Sequence, residues 1–469
     1  MTFSSPIFLF AFFPLVCVLY FLIPEKHLPL RNALLTAASL VFYGFGEPVA
    51  MLLMLGVVFW SWITALLLQK GGICRRIFLP LGIIGDLGVL CVYKYADFLI
   101  ESVNQLCGTG FAPLHLRLPI GISFFVFQAV SYIMDISRGE AKAQRSFFRL
   151  LLYISFFPQL IAGPIVRYQT VETALSSRHT SAAQAASGVR RMICGLAKKL
   201  LIADTVGVLA DYAFALGDSL SMPAAWLGAI CYTLQIYYDF SGYSDMAIGM
   251  GRLFGFAFPE NFDHPYCAAS VTEFWRRWHM SLTTWFRQYL YIPLGGNRRG
   301  NVRTLLNKWI VFLCTGLWHG ASWNFVIWGA LNGLMMNLEQ IFRRGQKPEK
   351  RKWYGHLYAM LFVVCAFVIF RAETLPDALH YYVCMFTGRN CNTAALCECV
   401  RSFSPLVVTV LIAAVIGATP LPVRIVQKCE QKAEVPVKAV LSVCAVLLLV
   451  LCMMNAAATS YHPFIYFRF

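Results

Sequence analysis

Apolar runs separated by short polar loops repeat along the whole chain, near 7–23, 32–46, 48–69, 77–100, 119–137, 150–166, 200–216, 223–251, 309–342, 355–371, 405–423 and 439–456. Crossing about 30 Å of hydrocarbon at 1.5 Å per residue takes roughly 20 apolar residues. Most of these runs therefore predict transmembrane helices, and two do not fit a simple crossing. The run 150–166 is flanked on both sides by basic loops and contains Pro158, Gly163 and Pro164. Broken backbone at membrane depth must be buried in protein or line a cavity, which predicts a re-entrant segment. As one helix the run 309–342 would measure about 50 Å, too long for one pass, and it predicts a hairpin bent near Gly320-Ala321-Ser322. The pattern describes an all-α polytopic membrane protein with about ten full transmembrane helices plus these two returning segments. No repeat or low-complexity linker divides it, so residues 1–469 read as one domain.

A different periodicity occupies 271–296. Phe274, Trp278, Leu282, Trp285 or Phe286, and Tyr289 recur every three or four residues, with Arg276, His279, Thr283 and Arg287 at the same spacing on the opposite side. This predicts an amphipathic helix lying at the interface or dipping into the protein, its polar side either a solvated cationic face or a wall for a phosphorylated carrier or thioester.

Composition agrees with the membrane reading: 58% of residues are hydrophobic and 13% charged, and mean hydropathy is +0.62. That excludes a cytosolic enzyme, a nucleic-acid binder and a disordered chain. The net charge of +16 lies in loops between apolar runs and holds them on the cytoplasmic side, which puts both termini outside. The run from Ile7 to Ile23 has no basic leader and no small-residue cleavage site, so it reads as a retained span rather than a signal peptide. Most cysteines lie inside apolar runs as small hydrophobes. Cys384, Cys391, Cys397 and Cys399 cluster in a loop; their spacing fits no zinc pattern, and in an oxidising compartment one or two disulfides are expected there.

Among the nine histidines, seven fall in loops or at span ends and read as interfacial. His319 lies in the most apolar part of the predicted hairpin, where an ionisable group is costly. Its neutral imidazole either takes a proton from an attacking hydroxyl or donates to a backbone carbonyl opened at Gly320. The run from Tyr237 to Asp245 puts Asp239 and Asp245 late in an apolar span; such carboxylates need partners, and Arg276 or Arg277 are candidates. Asp86 and Lys94 read as structural. No nucleotide-binding, serine-nucleophile or zinc-protease motif is present.

Five blocks, YYDFSGYSDMAIGMGRLFGF (237–256), PENFDHPY (259–266), EFWRRWHMSLTTWF (273–286), YLYIPLGGNR (289–298) and LWHGASWNFVIWG (317–329), closely resemble the membrane-bound O-acyltransferase superfamily in its bacterial alginate O-acetyltransferase-like branch. So do LPIGISFFVFQAVSYIMD (118–135), FFPQLIAGPI (156–165) and PFIYFRF (463–469); 118–333 is the most characteristic core. The resemblance implies that His319, in LWHG, is catalytic, that His279, in RWH, supports it, and that Arg276, Arg277, Asp239 and Asn324 lie near the substrates. Two positions depart from the family pattern: Gln288 stands where Asp is usual, and Asn332 where a second histidine often follows.

The resemblance further implies a multi-pass protein of the bacterial inner (plasma) membrane around a buried central histidine. It would move an acetyl or other acyl group from a cytosolic thioester donor, with no bound cofactor or metal, for O-acetylation of an extracytoplasmic polysaccharide such as alginate or another cell-envelope glycan. An extracytoplasmic partner protein would relay the group, with membrane lipid around the chain and no nucleic acid. D-alanyl transfer from a carrier protein to teichoic acid, a non-enzymatic conduit for acyl groups and a transporter remain the alternatives.

Overall fold

The structure, a computed structural model, describes residues 1–342, 353–388, 390–401, 403–458 and 464–465, without the side chains of 395, 398 and 399. The basic loop 343–352, His462 and most of the terminal PFIYFRF lie outside the described residues. The described chain is helical, with no strand. Among the described residues, four helices are long and apolar enough to cross a membrane: Pro48–Leu68, Gly72–Cys107, Trp353–Arg371 and Glu434–Ala458. Two bent pairs, Phe8–Leu22 with Glu25–Gly44 (111°) and Pro405–Gly417 with Leu421–Lys432 (68°), raise the number to six if each counts as one span. The contacts divide the chain into two compact units.

The first unit comprises Met1–Met192 and Ser244–Glu260. Its most enclosed helix is Ile122–Arg138, in which only Met134 and Arg138 escape burial. Its buried polar side has partners of its own, Asp135 holding Arg167 at 3.0 Å. The run 150–166 is broken as expected. Helix Phe147–Ser155 stops at Phe156 (ψ 112°), and a new turn begins at Phe157 with Pro158 in its first turn. Nine residues reach about 14 Å, too short to cross. Asp86 accepts from the Ser61 hydroxyl at 3.1 Å, while Lys94 reaches Ser123 instead, at 3.5 Å. Arg191 holds Asp245 at 2.8 Å and also clamps Glu260.

The second unit comprises Ile193–Tyr243 and Asn261–Phe469. Its core is aromatic, with Tyr232, Tyr238, Phe274, Trp275, Trp278, Phe367 and Phe370 all buried. The run 309–342 forms the expected hairpin, from helices Asn301–His319 and Trp323–Phe342. Glycines let the two backbones touch. A Cβ at Gly316 would stand 2.2 Å from the Phe325 carbonyl oxygen, and one at Gly329 would stand 2.3 Å from that of Phe312. Side chains cannot fit such a crossing, so this close approach requires glycine.

Two expectations are corrected in this unit. Residues 271–296 are not one amphipathic helix: Val271–Arg277 ends at Trp278, Met280–Phe286 begins after His279, and Arg287–Tyr291 is wound more widely. The expected disulfides do not form among the described side chains. Cys384 is buried in helix Leu375–Thr387, and Cys391 and Cys397 are exposed free thiols. The Cys399 side chain lies outside the described residues.

Candidate active site

His279 owes its position to a helix forced to stop. Ser270 caps Val271–Arg277 by accepting the Glu273 N–H at 3.0 Å. The Glu339 carboxylate accepts the Val271 and Thr272 N–H groups at 2.7 and 2.9 Å, where the helix dipole favours an anion. The helix ends at Trp278, and His279 adopts left-handed backbone (φ 44°, ψ 54°). That conformation costs a non-glycine residue roughly 1–2 kcal/mol. Hydrogen bonds to Asn261 offset it: the Met280 N–H donates to the Asn261 carbonyl at 2.9 Å and the Ser281 N–H to its side-chain Oδ1 at 3.3 Å.

Those bonds also fix the imidazole tautomer. A backbone N–H can only donate, so the Asn261 atom facing it is the oxygen. The same Oδ1 lies 3.1 Å from His279 Nδ1 and accepts the Ser281 hydroxyl at 2.9 Å. Nδ1 therefore carries the proton and Nε2 is a bare acceptor. Nε2 is buried with no hydrogen-bond partner among the described residues. His279 is wholly buried, and burial pushes its pKa down to about 3, so the ring stays neutral at physiological pH.

His319 is the last residue of Asn301–His319 and is 3% exposed. Its ring meets Trp318, Trp328 and Phe370 edge to face, with centroids 5.0, 5.2 and 5.1 Å away. The Trp318 ring also meets that of His279 at 5.7 Å, and the Phe240 ring meets it edge to face at 4.6 Å. One indole thus touches both imidazoles in an aromatic, low-dielectric enclosure. The Trp328 N–H is buried without an acceptor among the described residues. A proton acceptor beside an unused donor, shielded from water, suits transfer of a group to a hydroxyl.

The remaining expected residues separate. Asn324 is buried and donates to the Ala372 carbonyl at 2.8 Å, two residues beyond Phe370. Arg276 is exposed, and Arg277 pairs with Glu273 at 3.0 Å and Asp263 at 3.5 Å. Neither pairs with the buried Asp239 among the described residues. Asp239 is held by Lys199 at 2.7 Å and accepts the Ile465 N–H at 2.8 Å. The reason is reach: Arg277 is already committed to carboxylates of its own neighbourhood. Asn332, at the departure from the family pattern, accepts the Trp275 indole N–H at 3.0 Å and donates to the Trp328 carbonyl at 2.9 Å. Sequence reasoning missed Asn261, Ser281 and Phe240, whose only signal was membership of conspicuous blocks, and Phe370, which lies in the apolar run 355–371 outside them.

The sequence model of the membrane-bound O-acyltransferase family matches residues 113–375. The chain is 39% identical to a protein of Azotobacter vinelandii and 38% identical to one of Pseudomonas putida, both named Probable alginate O-acetylase AlgI, over the full length of each. It is 36% identical to a peptidoglycan O-acetyltransferase of Helicobacter pylori, over 80% of this chain and 78% of that one.

Proposed function

The chain belongs to the membrane-bound O-acyltransferase family, and from that premise we propose that it transfers an acetyl group from a cytosolic thioester towards hydroxyls of an extracytoplasmic polysaccharide, alginate or another cell-envelope glycan. The observation carrying this reading is the pair of buried imidazoles on one indole, His279 and His319 against Trp318. His319 takes the proton of the acceptor hydroxyl as its oxygen bonds to the thioester carbonyl carbon. The tetrahedral adduct then expels the thiolate, which takes that proton from His319. The Trp328 N–H is a donor for the developing oxyanion, and the bare Nε2 of His279 accepts a hydrogen bond from the donor or acceptor. Arg276, Arg277, Asp239 and Asn324 shape the surroundings of the two substrates.

The whole chain serves as one domain in the bacterial inner membrane, with about ten crossings around the central histidine. The acceptor is either the glycan itself or a serine on an extracytoplasmic partner that relays the acetyl group. Purified protein in proteoliposomes, given radiolabelled acetyl thioester inside and acceptor glycan outside, with and without partner protein, tests this reading. Label should appear as ester on the glycan. D-alanyl rather than acetyl transfer would reassign the donor, and the absence of transfer from either would overturn the reading.

A further inference from the structure

Asn332, 3% exposed, divides its amide between two tryptophans. Its Oδ1 accepts the Trp275 indole N–H at 3.0 Å, and its Nδ2 donates to the Trp328 carbonyl, one turn earlier on the same helix, at 2.9 Å. An indole N–H can only donate and a carbonyl can only accept, so this orientation of the amide is fixed. Trp275 and Trp328 are both buried, and their rings meet at 5.6 Å with an interplanar angle of 71°. Phe312 meets the Trp275 ring edge to face at 5.1 Å.

The backbone around Trp275 is fastened separately. Glu339 lies seven residues beyond Asn332, on the same face of Trp323–Phe342, and accepts the Val271 and Thr272 N–H groups. The Trp275 carbonyl accepts the Thr283 hydroxyl at 3.2 Å. The main chain of Val271–Arg277 thus has anchors that do not involve Asn332, and what the amide adds is the direction of the Trp275 indole. That indole borders Trp328, whose ring also meets those of His319 and Phe370 at 5.2 and 5.1 Å. The Trp328 N–H is buried without an acceptor among the described residues. A flat ring enclosed by other rings turns only when one of them yields, so a Trp275 held still keeps the Trp328 N–H in one direction.

We infer that Asn332 is a positioning residue: through Trp275 it fixes the direction of the Trp328 N–H, the donor assigned above to the developing oxyanion. The inference rests on the acyl-transfer reading and extends it to a residue whose oxygen and nitrogen are both bonded within the protein. A preorganised donor acts where charge develops, so its misplacement lowers kcat and leaves donor binding alone.

Thiol release from acetyl-coenzyme A by the full-length protein in proteoliposomes, with water or alginate as acceptor, tests this through a double-mutant cycle. Trp328→Phe should lower kcat by about 10²–10³-fold, the loss of one oxyanion donor. Asn332→Leu should lower it by about 10- to 100-fold with the KM for the thioester nearly unchanged, and should add almost nothing in the Trp328→Phe background. Trp275→Phe, which removes the same hydrogen bond from its other end, should behave alike. Asn332→His should restore most of kcat, since a neutral imidazole accepts at one nitrogen and donates at the other. Nuclear magnetic resonance of protein carrying isotope-labelled tryptophan, in nanodiscs, reads the bond without turnover. The Trp275 indole N–H signal, identified by its loss in Trp275→Phe, should move in Asn332→Leu towards that of a non-bonded indole. Additive losses around the Asn332→Leu and Trp328→Phe cycle overturn the inference, because a residue that only supports the fold costs the same in both backgrounds. So does an unchanged kcat in Asn332→Leu beside a moved signal. A wild-type protein that releases no thiol while the signal still moves sinks the acyl-transfer reading, so the two failures are distinguishable.

Discussion

Asn261 Oδ1 accepts the Nδ1 proton of His279 across 3.1 Å, joining residues eighteen positions apart in the chain. With the Ser281 N–H fixing which end of the amide faces inward, this contact leaves Nε2 as the only lone pair the ring can offer.

Asn261→Ala should free the imidazole to adopt either tautomer and lower kcat by about 10- to 100-fold, with a smaller change in the KM for the donor. Asn261→Asp keeps the acceptor but adds a negative charge, which raises the His279 pKa. Its acid limb of activity should therefore move to higher pH. The pH–rate profiles of the two variants make the comparison; superimposable profiles would mean that Asn261 only supports the fold.

His319→Ala should abolish acyl transfer while the protein still inserts, because loss of a general base costs about 10²–10⁴ in rate. The ring of His356 is far less committed: its Nδ1 lies 3.1 Å from the Ala268 carbonyl oxygen. His356→Ala should therefore keep near wild-type transfer and lose about 1 kcal/mol of stability. Assays need four decades of range to read the first variant. Near wild-type transfer by His319→Ala would displace this histidine from the chemistry.

Burial of His279 gives stability a direction with pH. The group has a pKa of roughly 6.5 when unfolded and about 3 when folded. Below pH ~6.5 the unfolded chain binds the extra proton, so stability falls as pH drops from there towards 3. The slope is at most about 1.4 kcal/mol per pH unit. His279→Asn removes this titration, and its melting temperature should decline less between pH 6.5 and 4.5. Parallel declines would show that the folded ring can be protonated.

Gly329→Ala puts a methyl group against the Phe312 carbonyl, where 2.3 Å is available. The helices must separate, which should cost about 1–3 kcal/mol and displace His319. Thermal unfolding and transfer rate should fall together. Gly56→Ala, with no atom within 4 Å of the added carbon, should leave both unchanged.

The hairpin was legible in the sequence because its signals are local. A run of thirty-four residues is too long for one span, and Gly320 marks the bend. His319 stood out because its depth in the run could be counted. His279 did not announce its inward turn: Arg276, His279, Thr283 and Arg287 fit a continuous polar face, and a left-handed φ of 44° leaves no mark in the spacing. The contact that compensates it comes from Asn261. The partner of Asp239 was equally hidden, since Lys199 lies forty residues earlier and no periodicity links them. Local pattern could say that the carboxylate needed a cation, but only packing could choose which one.

The glycine contacts between Asn301–His319 and Trp323–Phe342 bear on how such a protein diversifies. Because main chain rests on main chain at Gly316 and Gly329, the placement of His319 does not depend on which side chains surround it. Trp318 and Phe370 can then be exchanged by mutation without shifting the His319 ring, whereas Trp328 carries the proposed oxyanion donor. Descendants of one ancestral hairpin could keep the chemical step while drifting towards new acceptors, with selection acting on the enclosure and leaving the hinge alone.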